Sequence, residues 1–187
     1  MASFRLVAFR VYVSASTCRR RTSGRVRSTS TPFPMVVAIS DGALCEELLL
    51  LAKPNEVAYL IEHNYERMGV ATGSVALHML ARSSALLTAD ERKALASQDW
   101  FGKMMMRLGS QLSGARETDA QGLICILWAL AALEQVQNPM LLGLVKRLLL
   151  LAQHGRVSVP QLLLTAQALA RLKMLGGPIG IAMCNLT

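Results

Sequence analysis

Five cations occupy the last third of this chain with no acid among them. Lys146 and Arg147 are adjacent, Arg156 follows, and Arg171 and Lys173 complete the group; residues 135–187 contain no Asp or Glu. Cations spaced along successive helices can track a phosphate backbone, because each phosphate contact releases condensed counterions and needs no particular base. The alternative role of such residues is a solvated face that keeps a Leu-rich helix in water. Arg107, forty residues before Arg147, joins the group as its repeat equivalent.

Other chemistry is thinly represented. His63, His78 and His154 lack the H-x-x-x-H or Cys spacing of a metal site, and Cys18, Cys45, Cys125 and Cys184 form no C-x-x-C pair. There is no G-x-S-x-G and no glycine-rich phosphate loop. The sequence therefore gives no catalytic residue, no metal ligand and no cofactor site, and it reads as a non-enzyme. Three of the four cysteines lie in or beside apolar helical patterns, as reduced thiols of a core would. Trp128 could act as a stacking platform for a base. The apolar residues on both sides of it assign it instead to the core, as they do Trp100 and Phe101. Met104, Met105 and Met106 suit a core or an adaptable protein contact.

The elements that must position the cations are helices. Leu, Ala and Met carry an apolar content of 52% while aromatics contribute 5%, which favours helices over strands. Residues 128–133, W-A-L-A-A-L, have an echo 39 residues later in Q-A-L-A-R-L, and a fainter one 50 residues earlier in H-M-L-A-R-S. A period near 40 residues accommodates two helices and a turn, the signature of an α-solenoid. Two kinds of helix alternate. One is Ala-rich (72–84, 119–134, 159–175); the other begins near a Trp or Pro (100–112, 139–152). Shorter helices are expected over 41–52 and 55–68, and Thr88 with Glu91 has the form of a capping box. Thr118 or Asp119 would cap the central helix. The apolar residues of 140–151 go nearly all round the helix, which implies burial on more than one side. The longest uncharged apolar stretch here, 120–133, is fourteen residues, short of the roughly 18–20 that span a bilayer.

Residues 1–40 differ from the rest. They hold seven Arg and no acid in a Ser/Thr-rich context, whereas residues 41–134 hold eight basic and twelve acidic residues. Arg-rich, acid-free termini are the composition of an organellar transit peptide, drawn to a negatively polarised matrix and to anionic membranes. A basic tail that binds nucleic acid would have the same composition. A secretory signal is disfavoured because arginines interrupt every apolar run. Pro32 and Pro34 mark the expected end of this segment.

The pattern of residues 57–82, V-A-Y-L-I-E-H-N-Y-E-R-M-G-V-A-T-G-S-V-A-L-H-M-L-A-R, together with I-L-W-A-L-A-A-L at 126–133, resembles organellar helical-repeat RNA-binding proteins. These are the octotricopeptide, heptatricopeptide and FAST-kinase-like repeats of algae, apicomplexans and their relatives, often joined to a RAP domain. The resemblance spans most of residues 50–180. It implies an α-solenoid that binds organellar RNA, or a repeat protein within an organellar ribosome. No RAP-like stretch follows in this sequence, and the strict Pro- and Trp-containing octotricopeptide signature is missing, so no base-by-base code is read.

The expectation is an all-α protein: a disordered targeting segment over 1–40, then an α-solenoid of antiparallel helix pairs over 41–187 whose last repeat is incomplete. It would bind organellar RNA in the mitochondrial matrix, or alternatively in a plastid, and serve RNA processing, stability or translation. Arg107, Lys146, Arg147, Arg156, Arg171 and Lys173 would contact phosphates. The alternative is a structural subunit of an organellar assembly such as the mitochondrial ribosome, docked on ribosomal or other repeat proteins through an open C-terminal end.

Overall fold

A computed structural model describes residues 41–114 and 119–176, together with Ile179. The expected targeting segment, the Thr118 cap and most of the chain beyond residue 176 lie outside the described residues. Within these, every regular element is helical: α1 (Asp41–Leu50), α2 (Pro54–Asn64), α3 (Val70–Ser83), α4 (Ala89–Ala96), α5 (Asp99–Gly114), α6 (Ala120–Ala132), α7 (Met140–Gln153) and α8 (Val159–Arg171), with a 3-10 turn at Ser84–Leu86.

The helix starts follow from short polar side chains and proline. The Thr88 hydroxyl accepts from the Glu91 N–H at 3.3 Å, and the Glu91 carboxylate accepts from the Thr88 N–H at 2.8 Å, so two orphan donors of α4 are satisfied reciprocally. Asp119 caps α6 by accepting from the Gln121 N–H at 3.3 Å, and Asn138 serves the Met140 N–H at 3.0 Å ahead of α7. Ser158 and Gln161 play the capping pair for α8, where Pro160 sits in the first turn and loses no hydrogen bond.

Three helices end alike. After α6, α7 and α8 the chain turns through a left-handed residue, Glu134 (φ 58°), Gly155 (φ 68°) and Lys173 (φ 56°). The following N–H closes back on the last turn, from Gln135 to Leu130 O, from Arg156 to Leu151 O and from Met174 to Leu169 O, at 2.8–2.9 Å. This Schellman closure satisfies carbonyls that the helix leaves orphaned. Only Gly155 adopts the left-handed conformation without cost.

The helices of the two kinds form two separate rows. The Ala-rich helices pack on one another, α3 against α6 most extensively and α6 against α8 next, with α1 on the other side of α3. The second row is α5 beside α7, and it leans on the first through α5 on α3 and α7 on α6. Helices α3 and α6 run parallel, since Ser74 Oγ lies 3.7 Å from the Cβ position of Gly122 and the His78 ring lies 5.0 Å from that of Trp128. Small buried residues (Ala76, Ala81, Ala129, Ala131, Ala168) line the row, and Leu77, Leu80, Leu127 and Leu130 are fully buried within it. Each such leucine contributes about 1.5–3 kcal/mol of burial. Gly73 is required by the crossing of α5 over α3, because a Cβ there would lie 2.5 Å from Leu108 Cδ2.

Two expectations shift. The Ala-rich helix expected over 159–175 stops earlier: α8 ends at Arg171, and the chain turns at Lys173. Helix α7 buries Leu141, Leu144, Val145 and Leu148 yet leaves Leu142 (51%) and Leu150 (55%) exposed, so its all-round apolar surface is covered on part of its circumference.

Candidate nucleic-acid interface

The six candidate cations divide between the rows. Arg107 is exposed on α5 and Lys146 on α7; Arg171 is exposed in the last turn of α8, with Lys173 just beyond it; Arg156 is exposed in the turn that joins α7 to α8. None of these five makes an ion pair among the described residues, where Lys53–Glu56, Arg92–Glu134 and Lys103–Asp99 are paired. Arg147 is different. It is half-buried, and its Nη1 donates to the Leu112 carbonyl at the end of α5, which ties the two helices of the second row together. Its first role is therefore positional, whatever its charge also attracts.

The Ala-rich row presents a second surface, which the sequence reading passed over. On α6 the partly accessible positions are Gln121, Gly122, Cys125, Trp128 and Ala132. This is one helical stripe. Moving back 50 residues gives Ala71, Val75, His78 and Arg82, accessible on α3; moving on 39 gives Pro160, Leu164, Gln167 and Arg171, accessible on α8. The α3 and α6 stripes meet at one such equivalent pair, and α8 meets α6 at a glutamine pair 40 residues apart. The His78 ring lies against that of Trp128, with centroids 5.0 Å apart and the planes tilted by 39°. Gln161 Nε2 donates to Gln121 Oε1 at 3.1 Å, while its own Oε1 accepts from the Ser158 N–H. Gln121 Nε2 in turn reaches Cys125 Sγ at 3.6 Å.

Trp128 is half-buried rather than enclosed, packed against the core but sharing the accessible stripe with His78. Trp100 and Phe101 are buried, at 7% and 2% exposure. The His78 Nδ1 is buried and has no hydrogen-bond partner among the described residues. Burial, and secondarily the charge of Arg82, holds the His78 imidazole below its ordinary pKa, so the ring is neutral at neutral pH. His63 and His154 direct Nδ1 at the carbonyls of Tyr59 and Leu150, one helical turn back. Among the described residues no group of three His, Cys, Asp or Glu side chains could hold a metal ion. Cys45 and Cys125 are free thiols, half-buried, and burial raises the pKa of Cys125 and makes its thiolate scarce.

A groove of about 610 Å³ runs between α5 and α7, lined by Gly102, Met105, Met106, Gly109, Met140 and Gly143, with Arg147 also on its wall. No described helix is long and apolar enough to cross a membrane. The chain matches no known protein family, no curated protein and no solved structure.

Proposed function

We propose that this chain is a non-enzymatic RNA-binding α-solenoid of organellar gene expression, acting in RNA processing, stability or translation in the mitochondrial matrix or, as the alternative compartment, in a plastid. The observation that carries the reading is the set of exposed cations Arg107, Lys146, Arg156, Arg171 and Lys173, none neutralised by an acid among the described residues. Exposed cations without intramolecular partners keep their full charge for a polyanion. The solenoid reading is supported by the stacking of helices equivalent at offsets of 50 and 39 residues, the same intervals at which the sequence echoes itself. The compartment rests on the composition of residues 1–40, and a fluorescent fusion of that segment would test it by where it accumulates.

The direct test is anisotropy of a labelled single-stranded RNA with the full chain over a salt series, beside Lys146→Glu/Arg171→Glu, two exposed positions. Micromolar or tighter binding that weakens steeply with salt is expected. The double variant should bind at least about tenfold more weakly, with a shallower slope in log K against log salt. Absence of binding at low salt, or an indifferent variant, would remove the proposal.

A second reading has its own observation. Leu142, Leu150, Val159 and Leu163 are 51–79% exposed on α7 and α8, and exposed apolar groups that lie together mark protein contacts. A structural subunit of an assembly such as the organellar ribosome would use them. Co-sedimentation of the tagged chain with the ribosome, abolished by Leu150→Lys/Leu163→Lys but not by the charge reversals, would favour this reading.

A further inference from the structure

We infer that the accessible face of the α3–α6–α8 row is a base-stacking site for single-stranded nucleic acid, with the His78–Trp128 ring pair as its platform, Gln167 as its hydrogen-bonding neighbour, and Arg82 and Arg171 as phosphate contacts along one edge. This deepens the RNA-binding reading and rests on it.

Four observations converge. First, α3, α6 and α8 begin at Val70, Ala120 and Val159, the same 50 and 39 residues apart as the sequence echoes. His78, Trp128 and Gln167 therefore hold equivalent positions on the three helices, as do Arg82, Ala132 and Arg171, and His78 and Trp128 are in ring contact. Second, no acid occurs in α3, α6 or α8; apart from His78 the row's ionisable side chains are Arg82, Arg171 and the half-buried Cys125. Of the acids that flank these helices in sequence, Asp119 is engaged as the α6 cap and Glu134 by Arg92 at 2.6 Å, while α1, packed on α3, carries Glu46 and Glu47 exposed. Arg82 and Arg171 are both exposed and make no ion pair among the described residues, so the edge attracts anions.

Third, the ring pair lies at the margin of the core, with Trp128 packed against it. Leu77, Leu127 and Leu130 are fully buried beneath it, whereas Trp128 and His78 remain partly accessible. His78 keeps a buried Nδ1 without a hydrogen-bond partner among the described residues, an arrangement that is costly to a protein. A neutral imidazole beside an indole, the two rings tilted by 39°, does however present aromatic surface of the kind on which bases stack regardless of sequence. Fourth, Gln167 is exposed and its amide makes no hydrogen bond among the described residues, in contrast to the Gln121–Gln161 pair, which is committed to its neighbours. Its carbonyl and amide groups match the donor and acceptor edge of an unpaired base. An acidic protein would use the two arginines but would have no use for the ring pair.

The test is intrinsic fluorescence of the full chain in a Trp100→Phe background, so that Trp128 is the sole indole. It is titrated with an oligouridylate RNA and, separately, with inorganic polyphosphate. The expected result is a saturable quench of Trp128 with RNA and none with polyphosphate. Trp128→Leu, read by RNA anisotropy, should weaken binding by about five- to 150-fold, the worth of one stacked base. Should Trp128→Leu fail to fold by circular dichroism, Gln167→Ala and Arg82→Gln on the folded protein carry the same expectation of weaker binding and a reduced quench. RNA binding with unchanged Trp128 emission and unaltered affinity in these variants overturns the stacking site and leaves the phosphate reading standing. An equal quench by polyphosphate also overturns it, since the face would then bind anions without reading bases. No RNA binding at all removes both proposals.

Discussion

The two rows of helices bury their apolar surface by different means. In α3, α6 and α8 the contacts are made over Ala, Gly and Ser, and the backbones come close enough for Ser74 to lie 3.7 Å from the Cβ position of Gly122. In α5 and α7 the contacts are made by Met and Leu, and a groove of about 610 Å³ remains between the helices. Small residues give a tight row with little tolerance in either direction, while long flexible ones give a row with slack. The stripe proposed to stack bases lies on the tight row, where the His78–Trp128 and Gln121–Gln161 pairs join neighbouring helices and a platform can be preorganised.

The largest test of that difference is truncation. Leu127→Ala, at a fully buried position of α6, should cost about 2–5 kcal/mol in urea unfolding. Leu142→Ala on α7, 51% exposed, should stay within about 0.5 kcal/mol. Equal costs would mean that the outer side of α7 is covered in solution, and the comparison of rows would break.

Glycine substitutions sharpen the same contrast with a change of sign. At Gly73 a methyl group meets Leu108, itself buried to 1% exposure, so Gly73→Ala should destabilise by about 1–3 kcal/mol despite the better helix former. At Gly143 in the groove nothing lies within 4 Å of the added carbon, and Gly143→Ala should stabilise by about 1 kcal/mol. Thermal melts of the two variants moving in the same direction would show that the groove closes or that α5 moves away from α3.

The helix ends provide a smaller effect. Lys173 holds a left-handed conformation that costs a side-chain-bearing residue about 1–2 kcal/mol. Lys173→Gly should therefore stabilise the fold, by somewhat less than that because glycine frees the unfolded chain. Glu134→Gly at the equivalent position should gain less still, since it also removes the Arg92 partner. A loss of stability in Lys173→Gly would mean that the Schellman closure after α8 does not form in solution.

Much of this fold was legible in the residues, and the exceptions have physical causes. The two compositional kinds of helix became the two rows, because Ala-rich surfaces select one another by close approach. Thr88 with Glu91 marked the start of α4. The ends of α6 and α8 were harder to read, since Glu134 and Lys173 adopt a conformation that their side chains disfavour. Arg147 looked like its neighbour Lys146, and only packing shows it turned to the Leu112 carbonyl. The stripe on α6 was hidden for another reason: the helix carries no charged residue, so neither polarity nor period marks which side of it faces out. Trp128, assigned to the core, does pack against it and is also partly accessible.

His78 provides the smallest test, and it addresses which row senses protons. Its pKa is lowered in the folded state from an ordinary 6.5, with burial as the larger cause and Arg82 as the lesser. The unfolded chain therefore takes up a proton that the folded chain resists. It follows that the contribution of neutral His78 is fully present above about pH 6.5 and is lost as pH falls through and below that value. The buried residues of α5 and α7 are all apolar, so the second row has no buried ionisable group to add to this loss. Stability of the wild type measured by urea unfolding should decline on acidification from neutrality, and His78→Phe, which keeps a ring against Trp128 but cannot titrate, should decline less. If the two profiles are parallel, His78 is solvated in both states and the stacked pair is looser than a 5.0 Å ring contact implies. If they diverge, the proton-sensitive contact lies between α3 and α6, beneath the face proposed to stack bases.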